Sequence, residues 1–239
     1  METRPSFGAI FDWDGVIVDS SAHHERSWEL LAEEQGRTLP PDHFKRGFGR
    51  KNERIIPGIL HWTTDPAEIH RLSLRKEALY RAVMREDGLT MLPGVVELLC
   101  ALHGRGIPCA VGSSTHRANL DVAFGILGIR RYFNAVVSGE DVSHGKPDPE
   151  VFLIAAERIG MAPESCVVFE DVPAGIEAAR RAGMRTVALT TTNASELLAD
   201  ADLVVRDLSD VDYACLAELF TGKAGGCSVR KGTQVGDEG

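Results

Sequence analysis

Residues 7–20 read FGAIFDWDGVIVDS, and the meaning of this stretch decides the fold. A short apolar run rich in Phe and Ile stops at Asp12, a second carboxylate follows at Asp14, and Gly15 stands behind it. Such a run, bounded by a turn signal, reads as a buried strand that delivers two acids to its open end. In a parallel α/β sheet, ligands lie in the crevice beyond the carboxyl ends of the strands, so the position suits a binding site. For the motif taken alone, an Asx-turn is the plainer explanation. The functional reading gains only where other strands bring matching chemistry to the same edge.

After the turn, residues 20–35 (SSAHHERSWELLAEEQ) carry Trp28, Leu30, Leu31 and Ala32 among charged residues and close at Gly36, which predicts a helix with a stop signal. In residues 65–88, Asp65 ahead of Pro66 is a helix start, and Ile69, Leu72, Leu79, Val83 and Met84 mark an apolar face. No strand pattern appears between them. An all-helical insert, residues 20–89, is therefore expected within a core made of residues 1–19 and 90–221.

From Pro93 onward the pattern alternates: helix 94–103, strand 108–112, helix 117–127, strand 134–137, helix 149–159, strand 166–169, helix 174–182, strand 185–189, strand 203–205 and helix 213–220. Alternation of this kind predicts an α/β fold, a doubly wound parallel sheet with helices on both faces. Residues 222–239 are glycine-rich without apolar periodicity, and a disordered tail is expected there.

Composition narrows the class. With 239 residues the chain can bury a substantial core, as one large domain or one domain with an insert. A net charge of −9 argues against a general nucleic-acid binder, because duplex affinity rests on phosphate neutralisation by Lys and Arg. The five cysteines (Cys100, Cys109, Cys166, Cys215 and Cys227) form no CxxC pair and read as reduced thiols of a cytoplasmic protein. No charged-then-apolar leader precedes the first strand, and no run approaches the roughly 18 apolar residues of a membrane span. Neither secretion nor a membrane partner is expected.

Three further strand ends carry polar residues toward Asp12. Strand 108–112 runs into Ser113, Ser114 and Thr115, where hydroxyls and backbone N–H groups before a helix make a phosphate cradle. His144-Gly145-Lys146-Pro147-Asp148-Pro149 holds one lysine before a helix start, and strand 166–169 ends in Glu170 and Asp171. Each has a plain alternative. Ser113 or Thr115 can cap a helix, Lys146 can be a solvated charge, and the acid pair can answer the next helix dipole. Four such sites on successive strands of one sheet are a much rarer accident.

At this point the sequence resembles the haloacid dehalogenase superfamily. DWDGVIVDS, AVGSS, GKPDP and VVFEDVPAGIEAA match its four motifs in order, and the helical insert sits where the superfamily carries a small cap. The set is similar to the branch that contains β-phosphoglucomutase and many small-molecule phosphatases. The resemblance implies a Rossmann-like core and a Mg²⁺-dependent reaction through an aspartyl-phosphate. By it, Asp12 is the nucleophile and Asp14 the acid/base. Ser113, Ser114 and Lys146 bind the phosphate. Asp12, the backbone carbonyl of Asp14, and Asp171 hold the metal, with Glu170 as ligand or neighbour. Dehalogenation is disfavoured, since a halide leaving group needs neither the second Asp nor a metal.

The resemblance also implies that the insert closes over the site and reads the leaving group. His24, Trp28, Arg50, Lys76 and Tyr80 stand at positions that resemble the mutase cap, although His24 equally fits a half-exposed helix residue, Trp28 reads first as core, and Arg50, Lys51 and Arg54 equally fit a solvated helix face. Phe48-Gly49-Arg50-Lys51-Asn52 replaces the mutase's Val-Ser-Arg signature and looks more like the phosphatases. The expectation is a monomeric phosphatase for a small phosphorylated sugar or polyol, with Arg50 or Lys76 meeting the substrate's distal group. A β-phosphoglucomutase-type phosphomutase is the alternative. A non-catalytic sugar-phosphate binder is the third, and the retention of both Asp12 and Asp14 speaks against it.

Overall fold

The computed structural model describes residues 7–47 and 50–221. Six parallel strands form one sheet: β1 (Gly8–Phe11), β2 (Cys109–Gly112), β3 (Ala135–Val137), β4 (Cys166–Glu170), β5 (Arg185–Leu189) and β6 (Leu203–Val205), in the order β3-β2-β1-β4-β5-β6. The helices α1 (Ser21–Gln35), α2 (His43–Gly47), α3 (Asn52–Gly58) and α4 (Pro66–Asp87) interrupt the chain between β1 and β2. They are followed by α5 (Val95–His103), α6 (Arg117–Leu127), α7 (Glu150–Arg158), α8 (Pro173–Arg181) and α9 (Tyr213–Glu218). This is the Rossmann-like doubly wound arrangement expected from the alternation.

Alternation within β1 explains its burial. Ile10 joins Val168 in a cluster with Val151, Phe152 and Ala155 of α7, while Phe11 points the other way and stacks on Phe169 at 4.4 Å between ring centroids. Side chains of successive strand residues point to opposite faces, so a strand covered on both sides reads as a continuous apolar run. Register then decides where the run ends. Phe11 pairs with both Val111 and Phe169, so Asp12, Ser113 and the Glu170–Asp171 pair leave the sheet at one edge.

The chain divides into two units: one of Met1–Asp19, Thr90–Arg117 and Gly128–Gly239, the other of Ser20–Leu89 with Ala118–Leu127. In the helical unit, Trp28, Leu31, Ile55, Ile56, Ile59, Leu72 and Leu79 form one apolar cluster. Its termini follow the sequence signals. Gly36 closes α1 in the left-handed region at φ 60°, and Asp65 caps α4 by accepting the Ala67 N–H.

Three expectations change or fall away. Residues 118–127, read with the core, group with the helical unit, because Asn119 is drawn into its buried polar cluster, accepting from Arg81 at 2.8 Å and donating to Glu77 at 2.5 Å. Cys215 is disulfide-bonded, whereas Cys100, Cys109 and Cys166 are the free thiols expected. The tail at 222–239, like Phe48 and Gly49 of the insert, lies outside the described residues. Among the described residues no helix is long and apolar enough to cross a membrane.

Candidate functional site

The sheet unit gathers a lysine and three carboxylates where β1 and β4 end. Lys146 Nζ lies 2.5 Å from Glu170 Oε1 and 3.0 Å from Asp12 Oδ1, over the Phe152 ring at 4.9 Å. Glu170 is fully buried, and its other oxygen accepts the N–H groups of Asp171 (3.0 Å) and Val172 (3.3 Å). Carboxylate oxygens of Asp12, Glu170 and Asp171 all come within 4.8 Å of one another. Glycines make the room. A Cβ on Gly175 would collide with the Glu170 carboxyl, and one on Gly15, at φ +76°, with Asp171 Oδ2.

One cation does not neutralise this group. Burial, with the neighbouring carboxylates, pushes both Glu170 and Asp171 above the ordinary carboxylate range. Burial alone would lower Lys146, but Asp12 and Glu170 outweigh it and hold the ammonium above its usual value. Two buried oxygens, Asp12 Oδ1 and Asp171 Oδ2, lack a hydrogen bond of good geometry, although Lys146 is ion-paired to the first and the Thr192 hydroxyl meets the Asp171 carboxyl. Unsatisfied buried acceptors are expensive. A donor set made of carboxylate oxygens with excess negative charge fits a hard divalent cation.

Asp14 is turned to a different partner. The Thr115 hydroxyl donates to Asp14 Oδ2 at 2.6 Å. Ser113 is buried and its Oγ accepts the Thr115 N–H at 3.2 Å, while Ser114 is exposed. The hydroxyl of Thr191 donates to the Gly15 carbonyl at 2.5 Å, and Asn193 Nδ2 donates to the Asp171 carbonyl at 2.9 Å. Sequence reasoning passed over Thr115 in this role and over the whole of Thr190, Thr191, Thr192 and Asn193. The signal was present, since TTTN follows strand β5 as the other polar runs follow theirs.

The helical unit holds its own polar cluster. Lys76 Nζ donates to His24 Nδ1 at 2.7 Å and to Glu77 Oε1 at 3.1 Å, and lies over the rings of Trp28 and Tyr80 at 5.6 and 5.1 Å. Because the ammonium has only donors, Nδ1 accepts and the imidazole proton sits on Nε2. Burial, then the Lys76 charge, pushes His24 well below the usual histidine range, so the ring is neutral. Burial alone would raise Glu77, but Lys76, His24 and the amides of Asn52 and Asn119 bring it down to about 2. His24 also stacks on Tyr80 at 3.9 Å. Arg50, in contrast, is exposed, as are Lys51 and Arg54. The structure thus brings His24 and Lys76 together, while Arg50 is exposed.

A match to the family described as haloacid dehalogenase-like hydrolase spans residues 8–183. The chain is 38% identical over 215 residues to a chloroplastic 5-amino-6-(5-phospho-D-ribitylamino)uracil phosphatase of Arabidopsis thaliana, an alignment covering 89% of this chain and 57% of that protein. The chain therefore spans little more than half the length of that plant relative. It is 36% identical over 180 residues to a fructose-1-phosphate phosphatase of Escherichia coli, covering 75% of this chain and 94% of that one. Among solved structures, a β-phosphoglucomutase from Clostridium difficile superposes with a TM-score of 0.78 at 25% identity, covering 91% of this chain and 98% of that chain.

Proposed function

The chain belongs to the haloacid dehalogenase-like hydrolases, and from that premise we propose that it is a Mg²⁺-dependent phosphatase of a small phosphorylated sugar or polyol. The observation that carries the proposal is the meeting of Lys146 with Asp12 and Glu170, with the Asp171 carboxyl gathered beside them. The fructose-1-phosphate phosphatase similarity supports the substrate class.

Asp12, Glu170 and Asp171 would hold the ion, together with the backbone carbonyl of Asp14. Bound Mg²⁺ supplies the positive charge that lets an anionic ester approach an anionic nucleophile. Lys146, ion-paired to Asp12 at 3.0 Å, orients its carboxylate. An Asp12 oxygen attacks phosphorus in line, the ester P–O bond breaks, and Asp14 gives its proton to the departing oxygen. Water then attacks the aspartyl-phosphate and passes a proton to Asp14, which frees inorganic phosphate and restores Asp12. Ser113 and Lys146 stabilise the oxygens of the group in flight, with the Ser114 backbone beside them.

His24, Lys76 and Arg50 are assigned to substrate selection. The phosphomutase reading keeps a place because the chain superposes on a β-phosphoglucomutase and places Lys76 against His24 and Tyr80. Free thiols at Cys100, Cys109 and Cys166 support a cytoplasmic setting, and the Cys215 disulfide speaks against it. Phosphate release from a panel of hexose, pentose, polyol and glycolate phosphates, with and without Mg²⁺, tests the reading. Rapid Mg²⁺-dependent release that disappears in Asp12→Asn supports hydrolysis. Isomerised sugar phosphate with almost no free phosphate supports the mutase, and turnover above a few per cent in Asp12→Asn removes the nucleophile.

A further inference from the structure

We propose that Thr115 is the positioning residue of the acid/base, holding the Asp14 carboxyl in the orientation from which it serves the leaving oxygen. The inference rests on the phosphatase reading and deepens it. Its geometric basis is the 2.6 Å hydrogen bond from Thr115 Oγ1 to Asp14 Oδ2, which joins residues 101 apart in sequence.

The ordinary use of a threonine just before a helix is to cap it. That use is absent here. The first N–H of α6, on Arg117, donates to Glu140 Oε2 at 2.9 Å, and the carboxyl of the same glutamate holds His116 Nδ1 at 2.8 Å. Glu140 takes the first N–H of the helix, and the Thr115 hydroxyl is engaged with Asp14.

The mount is stiff enough to aim a carboxyl. Thr115 N–H donates to Ser113 Oγ at 3.2 Å, and the Thr115 carbonyl accepts from Gly139 N at 3.0 Å. Gly139 packs so closely on Ser114 that a Cβ there would sit 2.5 Å from the Ser114 carbonyl oxygen. The turn Gly139–Asp141 is pinned through Asp141. Its carboxylate accepts from Ser138 N (2.8 Å), Ser138 Oγ (2.6 Å), Arg117 (2.8 Å) and Arg158 (2.7 Å). The backbone on both sides of the hydroxyl is therefore fixed by groups of the same unit. A proton donor off by about 1 Å can lose on the order of a hundredfold in rate, which is what such a mount prevents.

In the step concerned, the Asp12 oxygen forms its bond to phosphorus while the ester P–O bond breaks, and the Asp14 proton goes to the leaving oxygen. An alkyl leaving group needs that proton, whereas a good aryl leaving group departs as the phenolate. The test compares kcat/KM of wild type, Thr115→Val, Thr115→Ser and Asp14→Asn on an alkyl phosphate of the active panel and on p-nitrophenyl phosphate, with Mg²⁺ saturating. Thr115→Val keeps the shape and the backbone bonds. It is expected to lose about 10- to 100-fold on the alkyl ester and much less on the aryl ester, with Thr115→Ser restoring most of the loss. An equal fall on both esters, no fall at all, or no recovery with serine overturns the assignment. Asp14→Asn separates the failures. If it leaves alkyl turnover intact, the acid/base reading itself falls. If it is selective for the alkyl ester and Thr115→Val is not, only the role of Thr115 falls.

Discussion

Asp171 occupies the space where a side chain on Gly15 would begin. Gly15 sits at φ +76°, and a Cβ added there would run into Asp171 Oδ2, with Thr192 Oγ1 close behind at 2.9 Å. The glycine of the DWDG turn and the acid that ends the fourth strand are thus one steric unit. Gly15→Ala adds a left-handed penalty of about 1–2 kcal/mol and moves the Asp171 carboxyl. We expect the Mg²⁺ concentration for half-maximal activity to rise at least about tenfold, a change typical of disturbed metal surroundings. A Mg²⁺ titration with unchanged midpoint would separate Gly15 from the metal site.

Metal and pH are linked through the same carboxyls. Burial and like charge raise Glu170 and Asp171 in the folded state, so between ordinary carboxylate values and the raised ones the metal-free folded protein holds protons that the unfolded chain has released. Stability of the metal-free protein therefore falls as pH rises through this window. Mg²⁺ competes with those protons, and its stabilisation is expected to be larger at about pH 8 than at about pH 6, reaching about 2.7 kcal/mol at a hundred times Kd. Thermal melts with Mg²⁺ and with EDTA at both pH values check this. Equal shifts at the two would detach the ion from these acids.

Lys146 faces two buried carboxylates, 3.0 Å from Asp12 and 2.5 Å from Glu170. Lys146→Met leaves both without their cation, which costs about 3–5 kcal/mol for a broken buried pair and roughly 10²–10³ in turnover for a lost charge-stabilising donor. Adding Glu170→Gln should recover part of the stability and none of the activity. Denaturant midpoints and initial rates of the single and double variants measure the coupling. If the second change restores no stability, the two side chains are not an energetic pair.

In the helical unit, Glu77 is held at about 2 against an ordinary 4.5. A depressed carboxyl contributes stability that is complete above its unfolded value and disappears as pH falls through the folded one. The shift corresponds to about 3 kcal/mol, lost between about pH 5 and pH 2. Glu77→Gln should accordingly be much less stable than wild type at neutral pH, with the gap closing as pH falls to about 2. Parallel denaturant curves across that range would refute the assignment by showing a constant gap.

The elements were legible because their signals are local. The Asp65 cap with Pro66, the Gly36 stop and the apolar runs ending at Phe11, Gly112 and Phe169 each specify a short stretch of backbone by burial and turn chemistry within a few residues. The helices α2 and α3 were harder to read, being 5 and 7 residues long with little room for a periodic pattern. Lys76 shows a different limit. Its KxxxY spacing was visible, but its burial against His24 and Glu77 depends on α1 and α4 packing together.

By itself, then, the sequence determined that the chain alternates strands and helices, that a helical segment interrupts it after the first strand, and that acids, hydroxyls and a lysine follow strand ends. Only the tertiary structure decided that β1 lies between β2 and β4, that residues 118–127 belong with the helical unit, and that Thr115 serves Asp14 instead of its own helix. The physical reason is range. Periodicity and capping are written over neighbouring residues, whereas strand order, register and the aim of a hydroxyl across 101 residues arise from non-local pairing once the core has closed.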